Sequence, residues 1–403
     1  MASNERKKAV EDEQKKQEVA DSLIKSALRR GSRVNNVREL GTSLLKNLPT
    51  SIPTIQKFMK AVNWAEAQGE VQQSLNNTIA IVGLPNTGKS TLFNKIKGQQ
   101  LSPVSSEAGT TRALVRSEFG PFTLIDTPGH LPDVAESGMK EASVIVFLMD
   151  ATRGLRVEDR QLYENIKTLK KPIILAVNKV DTLKRRGARD QLVTEVADAL
   201  GEVNVIPISA RTGENIAEEL IPEIIKASPD AALVIGRELP AFRHEAAQRI
   251  IRNSTLISLV AGMEPIPLVD IPILLGTQIR LVLRIAALYG EPLDSADFKK
   301  HARELLVTMA GGLGMRYLAE QAAKIVPYGG DAVAGIIAGA GTWAIGQVAL
   351  EYYEGDKQVN TRRLRQLYAD FYQRFRKVKS AEELRSYALE GKDAPLLLQD
   401  PKP

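Results

Sequence analysis

The sequence has no cysteine, so disulfides, thiolate metal sites and cysteine nucleophiles are excluded. With only three histidines, a His/Cys zinc site is excluded as well. Neither sign of charge dominates: Lys+Arg 54 against Asp+Glu 48 leaves +6, a balance that permits contact with RNA or anionic lipid without requiring it. The first residues, Met1 to Lys8, are not followed by an apolar run, which speaks against a secretory signal and for the cytoplasm or the cytoplasmic face of a membrane. What remains is a chain of 403 residues with 43% hydrophobic and 25% charged content, globular values and enough length for two or three domains.

The most informative stretch is Gly83-Leu84-Pro85-Asn86-Thr87-Gly88-Lys89-Ser90-Thr91. It follows an apolar run, Thr78 to Val82, that reads as a buried strand, and precedes Leu92 to Ile96, which reads as a helix start. The spacing fits G-x4-G-K-[ST] in the strand–loop–helix context that a phosphate-binding loop requires. Glycines let successive N–H groups turn toward phosphate oxygens, and the helix N-terminus adds partial positive charge. Lys89 would reach the β- and γ-phosphates and Ser90 would hold Mg²⁺.

From residue 77 the pattern alternates strands with helices. Strands are expected at Thr78–Val82, Ala113–Phe119, Phe122–Ile125, Ser143–Met149, Pro172–Val177 and Asn204–Ile208, and helices at Lys89–Ile96, Glu158–Leu169, Ala188–Leu200 and Ile216–Ile225. Such alternation predicts an α/β domain over 77–228, its ligand at the carboxyl ends of the strands. Residues 1–76 read as an N-terminal helical extension, with a helix from Ile55 to about Gln73. Residues 229–249 read as a linker, 250–355 as a helical, glycine-rich domain, 356–390 as a basic amphipathic helical tail and 391–403 as a disordered end. In the helical domain, Thr277–Tyr289 is expected as a helix carrying Arg280 and Arg284 on one face, and Ala296–Met309 as another.

Four further stretches fall at or beside strand ends: Gly109-Thr110-Thr111-Arg112, Asp126-Thr127-Pro128-Gly129-His130, Asn178-Lys179-Val180-Asp181 and Ser209-Ala210-Arg211. With the phosphate loop, this set resembles the five signature motifs of the GTPases of the TRAFAC class, is similar to the Era and TrmE group, and implies a P-loop GTPase domain of Ras-like fold. A single carboxylate such as Asp181 can accept from both N1 and N2 of guanine, an edge that adenine lacks. The resemblance implies that Gly83, Asn86, Thr87, Gly88, Lys89, Ser90 and Thr91 hold the phosphates. It implies that Asn178 ties the loops together, the Lys179 stem covers the base, and the Ala210 N–H, in the Ser209-Ala210-Arg211 loop, meets guanine O6. Asp126 would hold Mg²⁺ through water beside Ser90, Thr111 would bind Mg²⁺ and the γ-phosphate (Thr110 is the alternative), and the Gly129 N–H would contact that phosphate. His130 would orient the attacking water, or else point to solvent. Asn86 matches the position that accompanies a bound K⁺ in that group, or only caps the loop; a K⁺ role predicts faster hydrolysis in KCl than in NaCl. Ala113 stands where the group usually has Asp.

The blocks Pro267-Leu268-Val269-Asp270, Ile285 to Gly290 and Gly341 to Gly346 resemble a helical C-terminal region that accompanies GTPases in bacteria and cyanobacteria, of unknown function and often described as membrane-associated. Within it Ala332–Leu350 carries no Lys, Arg, Asp or Glu, and Gly335 and Gly339 form G-x-x-x-G. The run is at the edge of a spanning length of about 20 residues. A membrane span, reversible membrane contact and a buried helix of a bundle all fit it. The tail from Asp356 to Ser380 carries eight Lys/Arg and two Asp, with Leu364, Leu367, Phe371, Phe375 and Val378 at helical spacing. It suits anionic lipid, RNA or packing on the bundle. Taken together, the expectation is a GTP-hydrolysing switch linked to a membrane surface, with a ribosome- or RNA-associated GTPase, or a GTP-binding scaffold with negligible turnover, as alternatives.

Overall fold

The computed structural model describes residues 64–98, 118–119, 122–126, 138–183, 187–201, 204–262, 270–295 and 330–355, with scattered positions between 298 and 370. In chain order the elements are α1 (Trp64–Leu75), β1 (Thr78–Gly83), α2 (Lys89–Lys97), β2 (Glu118–Phe119), β3 (Phe122–Asp126), β4 (Ala142–Asp150), α3 (Val157–Lys167), β5 (Ile173–Asn178), α4 (Ala188–Leu200), β6 (Val205–Pro207), α5 (Ile221–Ala227), α6 (Pro229–Glu238), α7 (Arg243–Ala261), α8 (Asp270–Leu288) and α9 (Gly330–Glu354). A π-helical turn, Ile216–Leu220, leads into α5.

The six strands lie in the order β2-β3-β1-β4-β5-β6. Only the β2–β3 pair is antiparallel. Parallel strands sandwiched between helices must be apolar on both faces, which explains runs such as Ile79-Ala80-Ile81-Val82. Alternate residues then go to opposite layers. Ile79, Ile81, Val144, Val146 and Leu148 pack with Leu92, Phe93 and Ile96 of α2 and with Ile221 and Ile224 of α5. Ala80, Val82, Ile145, Phe147 and Met149 pack with Leu162, Tyr163 and Ile166 of α3 and Val196 and Leu200 of α4. From β1 the chain crosses to β3 on one side and then returns to β4 on the other. The loop after β1 therefore sits where the strand order reverses, the crevice in which open α/β sheets bind ligands.

The stretch 229–249 is not the linker its prolines suggest. Ser228 caps α6, its hydroxyl accepting from the Asp230 and Ala231 N–H groups, and Pro229 occupies the first helical turn, where its missing N–H costs nothing. Ala231 to Gly236 are all buried, a continuous apolar run too short to tell helix from strand or connector in the sequence. Residues 243–249 already belong to α7. The helical part of the chain thus begins at Pro229 rather than 250, and its core is continuous with one face of the sheet. Trp64, Ala67 and Val71 of α1 join that same core. Arg280 pairs with Glu70, while Arg284 donates to Asp230 Oδ1 at 2.9 Å and Ser74 Oγ at 3.3 Å. The two arginines of one helix face therefore tie α8 to α1 and α6. That helix starts seven residues earlier than expected, at Asp270.

The apolar run Ala332–Leu350 lies inside α9, and the side chains described there are mostly buried against α7 and α8. Among the described residues no helix is long and apolar enough to cross a membrane. Gly339 and Gly346 let α7 and α8 approach: a Cβ would stand 2.6 Å from Leu259 Cγ and 2.8 Å from Ile251 Cγ1. Gln347 is held by a reciprocal amide pair with Gln248, at 2.8 and 3.2 Å. Nearby, Thr342 donates to Ser258 Oγ at 2.8 Å and accepts from Gln278 at 3.3 Å. Residues 1–63, most of the expected strand Ala113–Phe119, most of Ala296–Met309, and Leu364, Phe371, Phe375 and Val378 of the tail lie outside the described residues.

Candidate nucleotide site

The site is built from the carboxyl ends of β1, β3, β4, β5 and β6. After β1 the chain curls through Asn86 (φ 68) and Gly88 (φ +96) before entering α2. Gly88 allows that curl for two reasons. Its left-handed φ disfavours a side chain, and a Cβ would lie 2.3 Å from Asn178 Nδ2. Gly83 is equally constrained, since a Cβ there would meet the Leu148 carbonyl oxygen at 2.3 Å. Buried Thr87 donates to the Leu84 carbonyl at 3.0 Å and closes the turn. Lys89 folds back across the loop, its ammonium donating to the Gly83 and Leu84 carbonyls at 2.8 and 2.9 Å. The loop thus places a cation and the N-terminal amides of α2 on one side, an arrangement suited to polyphosphate. Ser90 and Thr91, in the first turn of α2, are exposed.

Asn178, at the end of β5, is buried and uses both ends of its amide. Nδ2 donates to the Thr87 carbonyl at 2.8 Å, and Oδ1 accepts from the Ala210 N–H at 2.8 Å. One side chain therefore fixes the phosphate loop against the Ser209-Ala210-Arg211 loop after β6. The adjoining Lys179 takes a left-handed backbone (φ 72), and its ammonium reaches the Asn86 carbonyl at 2.6 Å and Asp150 Oδ2 at 2.7 Å. Asp181 Oδ1 accepts from the buried Ser209 hydroxyl at 2.6 Å. The Arg211 guanidinium stands 2.5 Å from Oδ2 as an ion pair, but among the described residues no donor is aligned to hydrogen-bond that buried oxygen. The Ser209 hydroxyl, with Arg211 adding to it, holds the Asp181 carboxyl below the usual carboxylate range, so it is an anionic acceptor at neutral pH.

Asp126 ends β3 in register with Gly83, so the expected Mg²⁺ residue lies beside the root of the phosphate loop. Carboxylate and hydroxyl oxygens are the ligand type Mg²⁺ prefers, and of the expected set Ser90 lies exposed in the first turn of α2. Thr111, Gly129 and His130 lie outside the described residues. Asp150 escaped the motif analysis. Its signal was present, an acid at the carboxyl end of a central apolar strand, but no motif contains it.

The sheet order, the glycine curl between β1 and α2, and the Asn-Lys-x-Asp loop clamped to it define a P-loop nucleotide-binding domain. The comparisons narrow the class. Residues 78–179 match the 50S ribosome-binding GTPase family, and residues 233–377 match the domain of unknown function DUF697. The chain therefore carries one region similar to GTPases and, after it, one similar to DUF697. It is 36% identical over 171 residues to GTPase Era of Aquifex aeolicus, covering 38% of this chain and 56% of that protein. It is 33% identical over 211 residues to GTPase Der of Thermoanaerobacter pseudethanolicus, covering 48% and 46%. Among solved structures, Era in complex with MgGDPNP and nucleotides 1506–1542 of 16S ribosomal RNA shares 30% identity over 45% of this chain and 67% of that one, with a TM-score of 0.31. The chain spans about half the length of the curated relatives it matches.

Proposed function

We propose that this protein binds GTP with Mg²⁺ and hydrolyses it to GDP and phosphate, cycling between two conformations as a switch. The observation that carries the reading is the Asp181 carboxylate. One oxygen accepts from Ser209; the other faces the exposed Arg211 guanidinium as an ion pair. Guanine supplies two N–H donors to such an acceptor, whereas adenine offers none on that edge and would gain no bond from it. Lys89 and the amides at the start of α2 receive the phosphates, and Asn178 keeps base loop and phosphate loop in one frame. Bound Mg²⁺, held through Ser90, Thr111 and Asp126, would neutralise phosphate charge. The Gly129 N–H would contact the γ-phosphate and His130 would orient water. Asn86 would favour K⁺ as a second cation, and phosphate release faster in KCl than in NaCl checks it.

The deciding experiment pairs nucleotide titration with phosphate release. Wild-type protein should select GTP over ATP, and Asp181→Asn should move preference from guanine toward xanthine. Unchanged GTP selectivity in that variant would sink the guanine assignment. Tight GTP retention without phosphate release in KCl would favour a scaffold over a hydrolase.

For cellular attachment, the eight basic residues of the tail support a contact with anionic membrane surface. A second reading, association with a ribosomal subunit, is favoured by the match of residues 78–179 to ribosome-binding GTPases. Cell fractionation separates the two: GTP-dependent recovery with anionic vesicles supports the first, salt-sensitive co-migration with ribosomal subunits the second.

A further inference from the structure

Asp150 closes the last rung of the β4–β5 ladder, where it pairs with Asn178. Its side chain is 2% exposed and has two distinct jobs. Oδ1 accepts from the Thr152 N–H at 2.9 Å and the Thr152 hydroxyl at 2.7 Å, which shapes the turn after β4. Oδ2 faces the Lys179 ammonium at 2.7 Å, and the Arg153 guanidinium stands farther off at 3.8 Å. Lys179 therefore bridges two anchors, the Asp150 carboxylate on β4 and the Asn86 carbonyl of the phosphate loop. Its stem lies beside the phosphate loop: a Cβ at Gly88 would be in ordinary contact with Lys179 Cε at 4.0 Å. Without the carboxylate, the ammonium would keep a carbonyl partner but no counter-charge, and a four-carbon stem would regain its rotamers.

We propose that Asp150 is a positioning residue for guanine nucleotide, acting through Lys179: it pins the ammonium so that the stem lies flat across the phosphate loop as a platform for the base. The inference rests on the guanine-nucleotide reading above. It adds a residue from β4 to a site otherwise assembled from its motif loops. Burial alone would raise the Asp150 carboxyl, but Lys179 and Thr152 outweigh it and hold the group below the ordinary carboxylate range. The counter-charge is consequently present throughout the neutral range.

The competing role, a plain turn-former, is separable by chemistry. Asp150→Asn keeps an oxygen for Thr152 but removes the charge opposite Lys179. Fluorescent GDP titration of the full chain should show affinity lowered on the order of tenfold in Asp150→Asn, the weight of a charge-assisted hydrogen bond. In a Lys179→Met background, the same substitution should change affinity by less than about twofold, because the two side chains act as one unit. Wild-type affinity in Asp150→Asn overturns the proposal, as does an equal loss in both backgrounds. Should the wild-type chain fail to bind guanine nucleotide at all, the functional reading falls and takes this inference with it; binding with an indifferent Asp150 sinks this inference alone.

Discussion

The nucleotide site and the helical core both bury polar side chains, and they treat them in opposite ways. In the core, Gln248 and Gln347 satisfy each other, and Thr342 serves Ser258 and Gln278. Those partners are all internal, and the seam aligns helices. At the strand ends, Asn178, Lys179 and Asp181 join separate segments: Asn178 and Lys179 reach the phosphate loop, Lys179 also reaches Asp150 at the end of β4, and Asp181 reaches Ser209 and Arg211. Buried polarity alone therefore does not mark a site, and neither does an unpartnered atom, since the Thr255 hydroxyl in α7 is one as well; charged and amide side chains gathered at the carboxyl edge of a sheet do.

Substitutions in the two regions sharpen this contrast. The largest effect is expected at Gly88. Its positive φ and the 2.3 Å approach to Asn178 leave no place for a methyl group. Gly88→Ala should weaken GDP binding by roughly a hundredfold or more in an equilibrium titration. A near-normal affinity would show that the Asn178 clamp is dispensable. The seam should respond in stability instead. Gln347→Leu strands the Gln248 amide and should cost about 1–3 kcal/mol in denaturant unfolding, whereas the double change Gln248→Leu with Gln347→Leu should recover most of it. A double variant that unfolds as early as the single would mean that the amide pair does more than align helices. Least affected should be Arg284→Ala. It removes a largely covered pair with Asp230, its side chains 21% and 34% exposed, and the contact to Ser74, and should cost about 1 kcal/mol, read from the same unfolding curve.

Much of the site was legible because its residues come in short local runs whose chemistry is tied to spacing. The curl from Gly83 to Lys89 and the pairing of Asn178 with the Ala210 loop follow from motifs of four to nine residues. Asp150 was not legible in this way. Its role depends on β4 lying beside β5 with Asp150 opposite Asn178, a relation of register rather than of sequence distance. The sheet was likewise readable from alternating apolar runs, with boundaries shifted by a residue or two. Helix α6 was missed because its apolar run is short, and two prolines near its ends imitate a connector. Arg280 and Arg284 were seen to share a face, but which helix they meet is a property of the tertiary fold.

Two residues, Asn76 and Asn77, separate α1 from β1, and α1 is packed into the helical core while β1 carries the phosphate loop. Neither half of the molecule is consequently portable. Scissors applied at residue 78, where the GTPase match begins, would strip Trp64, Ala67 and Val71 from a shared interior. A fragment trimmed to 78–228 would lose those residues and α6 together, leaving oily surface to glue copies of itself into aggregates, whereas one begun upstream of Trp64 and carried past Leu367 would keep the described core whole.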